Sequence, residues 1–288
     1  MTVIQNSIMN ISKIQELCKL YGFSPSKQYG QNYLVNDGIV KKIIEAGELK
    51  PTDTVIEIGP GFGVLTFSLA EKAKKVIAFE IERKLEKYWG EKLKNYGDIE
   101  IVWGNALTRL KIERLKDYKI VANLPYQITS QALRTILELE NKPELIVVMV
   151  QKEVAQRICA KPPDMSLLAL SVQYYGQPEI VDFVTKGNFW PAPKVDSAIL
   201  RIKTLKHENI KTASDEQFFK FAKAGFAQKR KQLWKNLAEG LKLDKDKVKA
   251  VLNEVVGNEK VRAEELGVEE WRRIILEFRN LGILETIN

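Results

Sequence analysis

Short apolar runs alternate with longer segments of helical periodicity through the first half of the chain. The runs at 54–58, 76–80, 99–103, 118–122 and 145–150 have strand length and few polar interruptions, as strands buried on both faces do. Between them, 63–72, 82–95 and 128–140 place apolar residues three or four apart, the spacing of a helix with one buried side. Strands alternating with such helices predict a parallel sheet covered on both faces. Upstream, 11–20 and 37–46 are helical, with Ser12 and Asp37 as caps. After Val150 the rhythm changes. Segments 151–160 and 167–175 read as helices separated by Lys161-Pro162-Pro163-Asp164, and 180–185 and 197–202 as a closing antiparallel pair. Beyond Lys206 only helical segments remain, at 218–227, 232–241, 245–256 and 268–280. The fold class is therefore α/β: a Rossmann-like sheet domain over residues 1–206 and a small all-α domain over 207–288.

Size and composition narrow the possibilities. A chain of 288 residues with 45% hydrophobic content buries a sizeable core, in one large domain or two smaller ones. The longest apolar stretches, such as 145–150, are far too short to span a bilayer. Residues 1–11 lack the charged start and apolar centre of a secretory signal. Cys18 and Cys159 are the only cysteines and His207 the only histidine. Zinc sites, Ser-His or Cys-His catalysis and a disulfide scaffold are set aside on that ground. A reducing, cytoplasmic location is expected, with no metal and no membrane partner. The net charge of +8 is unevenly placed: residues 201–250 hold 14 Lys/Arg against 6 Asp/Glu, which matches the whole excess. A basic block points to a polyanion such as nucleic acid.

Candidate chemistry is concentrated at two strand ends. The run 118–122 ends in Asn123-Leu124-Pro125-Tyr126, and the carboxyl ends of parallel strands are where ligands bind. The Asn123 side-chain oxygen and the Leu124 carbonyl both accept hydrogen bonds from an exocyclic amine. Pro125 donates none and fixes φ, which holds that carbonyl outward. Tyr126 offers a flat face. The set fits the amino edge of an adenine, although the same residues also suit a plain turn. The second end is Glu57-Ile58-Gly59-Pro60-Gly61-Phe62-Gly63. Its glycines allow a sharp turn and close approach to a ligand. A dinucleotide fingerprint needs glycine where Val64 stands, and here the third glycine arrives one residue early. A pyrophosphate gains little from Glu57, whereas a cofactor with an ammonium group and a positive sulfur tolerates it. Glu80, ending the next strand, is placed to accept from both ribose hydroxyls.

These residues, with Gln31-Asn32-Tyr33-Leu34, Gly104-Asn105-Ala106, Gln151-Lys152-Glu153-Val154-Ala155, the segment 189–197 and Phe226-Ala227-Gln228-Lys229-Arg230-Lys231, resemble the ribosomal RNA adenine dimethyltransferases. The bacterial small-subunit branch is the nearest. The resemblance implies a class I methyltransferase sheet, S-adenosylmethionine as cofactor, and ribosomal RNA or an immature small subunit as partner. By position it implies that Asn32 and Leu34 touch the cofactor, that Gly59, Gly61, Gly63 and Glu57 line its methionine part, and that Glu80 holds the ribose. Asn105 meets the adenine of the cofactor, and it stands where the family usually has Asp. Asn123 contributes to the cofactor's edge and, like the Leu124 carbonyl, receives the target amine, and Tyr126 stacks on the target base with Phe189 as its second face. Lys229, Arg230 and Lys231 read as a basic helix face on RNA phosphates. Ala169 replaces a family arginine. Trp89, Trp103, Trp234 and Trp271 are packing groups, and nothing calls for an obligate dimer, so a monomer is expected.

The expected reaction is transfer of two methyl groups to each of two adjacent adenosines of small-subunit RNA, with the target base extruded from its helix. The alternatives are a large-subunit resistance methylase, an RNA-binding assembly or transcription factor that has lost catalysis, and, least favoured, a nicotinamide oxidoreductase.

Overall fold

The computed structural model describes residues 9–26, 30–110, 115–205 and 214–283. His207, the expected boundary at 206/207 and most of the N-terminal stretch 1–11 lie outside these. The described residues form two compact units, one of residues 1–155 with 178–204 and one of residues 156–177 with 205–288. Residues 156–177, assigned from the sequence to the first domain, thus pack with the C-terminal helices.

In the first unit, α1 (Ile11–Leu20), β1 (Tyr33–Leu34) and α2 (Asp37–Ala46) precede the alternating core. That core runs β2 (Thr54–Ile58), α3 (Thr66–Ala70), β3 (Lys75–Glu80), α4 (Glu86–Lys92), β4 (Ile99–Trp103), α5 (Ala106–Arg109), β5 (Tyr118–Asn123), α6 (Thr129–Leu137) and β6 (Leu145–Gln151). There follow α7 (Lys152–Ile158), α8 (Leu167–Tyr175), β7 (Gly176–Val184), β8 (Phe189–Trp190) and β9 (Ser197–Thr204). The large sheet has the order β4-β3-β2-β5-β6-β9-β7. Strands β2 to β6 are mutually parallel and β9 is antiparallel to β6. The α/β class expected from the sequence is therefore the one observed. Burial explains the apolar runs: in β6, Ile146 to Val150 are all fully buried, which a strand covered on both faces requires.

The order places the chain's reversal between β2 and β5. From β2 the chain winds outward through β3 and β4, and from β5 the other way to β6. The crevice of an open α/β sheet opens at that point.

The helix expected over 63–72 is shorter, starting at Thr66. Gly63 has φ +78°, in the left-handed region that a right-handed helix excludes. The expected helix over 82–95 is split, with 3-10 turns at Arg83–Leu85 and Leu93–Asn95 flanking α4.

The second unit packs α8 with α9 (Asp215–Gly225), α10 (Leu233–Leu241), α11 (Lys245–Val256) and α12 (Val268–Asn280). Its core holds Phe218, Phe221, Leu233, Leu237, Ile274 and Phe278 around a fully buried Trp271. Tyr174 stacks on Phe218 at 4.0 Å between ring centroids, and Tyr174 and Tyr175 both donate to Asp215. Ala169 is fully buried in α8, so the position that lacks the family arginine is a packed one. No helix among the described residues is long and apolar enough to cross a membrane.

Candidate active site

The ends of β3, β2 and β5 and the segment around β1 enclose a cavity of about 810 Å3, including its open mouth. Of the residues singled out from the sequence, Asn32, Leu34, Glu57, Gly59, Gly61, Glu80, Asn123, Leu124, Pro125 and Tyr126 line it. Residues up to 94 positions apart in sequence therefore meet at one sheet edge.

The glycine loop is braced from three sides. Glu80, only 3% exposed, accepts from the Gly61 amide through Oε2 (3.0 Å) and from the Glu82 amide through Oε1 (2.7 Å). Trp89 Nε1 donates to the Gly61 carbonyl at 3.0 Å, and Tyr88 Oη to the Phe62 carbonyl at 2.7 Å. A Cβ on Gly61 would stand 2.6 Å from the Tyr33 ring. At Gly59, φ is +75° and nothing lies within 4 Å of where a Cβ would be, so the backbone is bare toward the cavity. Trp89 is the packing group expected from the sequence, and it also holds the loop. Tyr88 and Tyr33 carried no signal beyond an aromatic in an apolar pattern.

Two buried polar atoms in the wall lack hydrogen-bond partners among the described residues, Glu57 Oε2 and Tyr33 Oη. Burial is the main cause that pushes the Glu57 carboxyl up to about 8. The Glu80 charge adds to it, and the Thr66 hydroxyl opposes it. A buried carboxyl with one oxygen left unpartnered is a receptor for a cation or a strong donor. The residues thus fit a ligand that carries an ammonium group and ribose hydroxyls. Because its folded pKa lies above the ordinary carboxylate value, Glu57 favours the fold most when protonated. That contribution fades as pH rises toward 8. A bound cation favours the carboxylate, so binding releases a proton. Affinity for a cationic ligand of this kind is expected to rise between about pH 6 and pH 8, and Glu57→Gln to flatten that rise; calorimetry in buffers of different ionisation enthalpy checks the released proton.

At the end of β5, Asn123 Nδ2 donates to the Asn32 carbonyl at 2.9 Å. That bond assigns the amide and leaves Oδ1 as the end available to a ligand. The Leu124 carbonyl accepts no backbone hydrogen bond among the described residues, although the Leu124 side chain is buried. Pro125 has φ −57°, and Tyr126 follows with its Oη 2.6 Å from Ser197 Oγ. Two acceptors and a ring therefore converge at one rim.

Three expected site residues stand elsewhere. Gly63 lies behind the loop, its Cβ position 2.5 Å from the Phe67 ring. Asn105 is exposed and caps α5, with Oδ1 accepting from the Leu107 amide at 2.9 Å. Phe189 does not line the cavity. It pairs with Leu34 across β1 and β8, is 3% exposed, and packs in the core, so it presents no free face for a base. Conversely, Ile81, which follows Glu80, is 46% exposed and lines the cavity. Sequence reasoning missed it because an apolar residue ending a strand reads as core.

The basic run departs from the helix face expected for it. Lys229, Arg230 and Lys231 lie in the turn between α9 and α10. Buried Asn236 donates to the Gly225 and Gln228 carbonyls (2.6 and 3.0 Å) and holds that turn. Lys229 and Arg230 are exposed, whereas Lys231 is half-buried and paired with Glu239 at 2.9 Å. Trp234 is half-buried, with Lys235 and Lys249 over its ring at 5.3 and 4.6 Å.

Comparison with known proteins completes the picture. A sequence model of the ribosomal RNA adenine dimethylase family matches residues 22–280. The chain belongs to that family. It is 45% identical over 271 residues to ribosomal RNA small subunit methyltransferase A of Dehalococcoides mccartyi, covering 93% of each chain. It is 37% identical over 281 residues to the protein of the same name from a Geobacillus strain, covering 93% of this chain and 96% of that one. Among solved structures, a dimethyladenosine transferase from Plasmodium falciparum superposes with a TM-score of 0.76 at 27% identity, over 87% of this chain and 98% of its own. The 23S rRNA methyltransferase ErmE does so with a TM-score of 0.70 at 28% identity, over 85% and 98%. The sheet is thus that of the methyltransferases, and the chain is a member of a methyltransferase family.

Proposed function

We infer that this protein is an S-adenosylmethionine-dependent N6,N6-dimethyltransferase that acts on two adjacent adenosines of small-subunit (16S) ribosomal RNA during ribosome biogenesis. The observation that carries this reading is a pair of acceptors without partners among the described residues, Asn123 Oδ1 and the Leu124 carbonyl, beside the Tyr126 ring at the rim of a cavity whose wall holds the unpartnered Oε2 of buried Glu57. Identity of 45% with small-subunit enzymes, against 28% with ErmE, favours the small-subunit substrate.

The chemistry follows from what each group does. When bound, S-adenosylmethionine supplies a methyl group on a positive sulfur. Glu80 and the glycine loop would hold its ribose and methionine parts, with Glu57 facing its positive charge and Asn32 at its edge. Asn105 stands outside the cavity lining with its Oδ1 committed to the α5 cap, so it lacks the free acceptor that the amine of the cofactor's adenine would need. An adenine amine is a poor nucleophile because its lone pair is delocalised into the ring. Two hydrogen bonds donated by that amine, to Asn123 and Leu124, favour a more tetrahedral nitrogen with its lone pair localised. Orientation of this kind supplies roughly 7–11 kcal/mol in favourable systems. The proton is lost once the nitrogen has become acidic, so no side chain here need act as a strong base.

Labelled methyl transfer onto immature small and large subunits, with the product base mapped, tests the reading. Dimethylated adenosine in small-subunit RNA is expected. Label only in large-subunit RNA, or no cofactor binding, would overturn it.

The exposed turn in the second unit would contact RNA phosphates. Charge reversal of Lys229 and Arg230 is expected to weaken RNA binding and to reduce the slope of log affinity against log salt by about one for each phosphate no longer neutralised. Filter binding across a salt series measures both, and unchanged low-salt binding would place the RNA on another surface.

A further inference from the structure

We propose that Ser197 is a positioning residue for this reaction: its hydroxyl latches the Tyr126 ring in the place where the target base stacks. The proposal rests on the reading of Tyr126 given above and assigns a role to a residue outside the cavity lining. Tyr126 Oη and Ser197 Oγ are 2.6 Å apart, and either can donate. Neither hydroxyl has another hydrogen-bond partner among the described residues. With the ring in place Ser197 is wholly buried, so its hydroxyl has no water to turn to, and a buried hydroxyl without a partner is unfavourable. The latch therefore tends to hold itself closed.

Ser197 is a fixed point. It is the first residue of β9, paired with Gln151 at the end of β6, one strand over from the end of β5. Because β9 runs antiparallel, its start lies at the edge where the parallel strands finish. Asp196 just before it is tied down, its carbonyl accepting from the Lys152 amide and its Oδ1 from the Lys186 amide, both at 3.0 Å. Tyr126, by contrast, opens a 3-10 turn beyond the sheet, Tyr126–Ile128. A tyrosine side chain has two free torsions, and a hydrogen bond at its far end restrains both. Rings held by such supporting bonds keep productive geometry, and small misplacements are costly to rate.

Two conservative variants test the latch. Tyr126→Phe keeps the ring and removes its hydroxyl, and Ser197→Ala keeps the tyrosine and removes the partner. Each is expected to lower kcat roughly tenfold with cofactor affinity little changed; the thermal midpoint should hold in Ser197→Ala and fall by a few degrees in Tyr126→Phe, which strands the buried Ser197 hydroxyl. The double variant should lose no more than either alone. A 3-fluorotyrosine at position 126 should give a single narrow fluorine resonance that shifts and broadens in Ser197→Ala and recovers in Ser197→Thr, which retains the hydroxyl. Losses that add, full kcat in folded Ser197→Ala, or an unmoved fluorine line would overturn the proposal. If the unaltered protein methylates no ribosomal RNA, the functional reading fails, while the fluorine line still decides the latch.

Discussion

Tyr126→Ala is expected to cut turnover about a hundredfold while cofactor affinity stays within about threefold, because stacking on an extruded base is worth roughly 1–3 kcal/mol and a misplaced base forfeits more. The asymmetry is the informative part. Tyr126 lies at the rim beyond Pro125, whereas the groups that would hold the cofactor are the ends of β2 and β3, braced by Trp89, Tyr88 and Glu80. Removing the ring leaves those bonds untouched. Single-turnover rates and a calorimetric titration measure the two effects separately. Equal losses in both would place the ring on the cofactor instead, and the assignment of the rim to the target base would fall.

In the second unit, Gly225→Ala is expected to cost about 3 kcal/mol, the upper end of the usual range for overpacking a core. A Cβ there would stand 2.3 Å from Trp271 Cη2 and 2.8 Å from Leu233 Cδ1. Both side chains are fully buried, so neither has space to retreat into, and the backbone must shift. The Gly225 carbonyl is also the 2.6 Å acceptor of Asn236, which holds the turn carrying Lys229 and Arg230. RNA affinity should therefore fall with the thermal midpoint, while cofactor binding, proposed for the first unit, persists. An unchanged midpoint would mean that Trp271 is free to move.

The strands and the sheet class were legible because the signals were local. Residues 54–58, 99–103, 167–175, 245–256 and 268–280 take the bounds read from periodicity. Boundaries failed where one residue's backbone overrode the pattern, as at Gly63, or where a distant side chain took the carbonyls, as Asn236 does at the basic turn. The site residues were legible where a strand end met an unusual residue. Glu57, Glu80 and Asn123 each interrupt an apolar run, and a polar group in such a place needs a reason. Ile81 and Tyr33 gave no such interruption, and Phe189 looked available only because its burial is set by β1, more than 150 residues away.

The amino-acid order alone determined the alternation of strands and helices, the polar residues at the strand ends, and the family likeness, all of which depend on neighbours in the chain. Folding decided what depends on residues far apart: which end of the Asn123 amide faces the cavity, that Glu57 Oε2 is left without a partner among the described residues, that Ser197 reaches Tyr126, and that Phe189 is sealed in the core. Hydrogen-bond partners and burial belong to the packed structure, since they exist only once separate strands are brought to one edge.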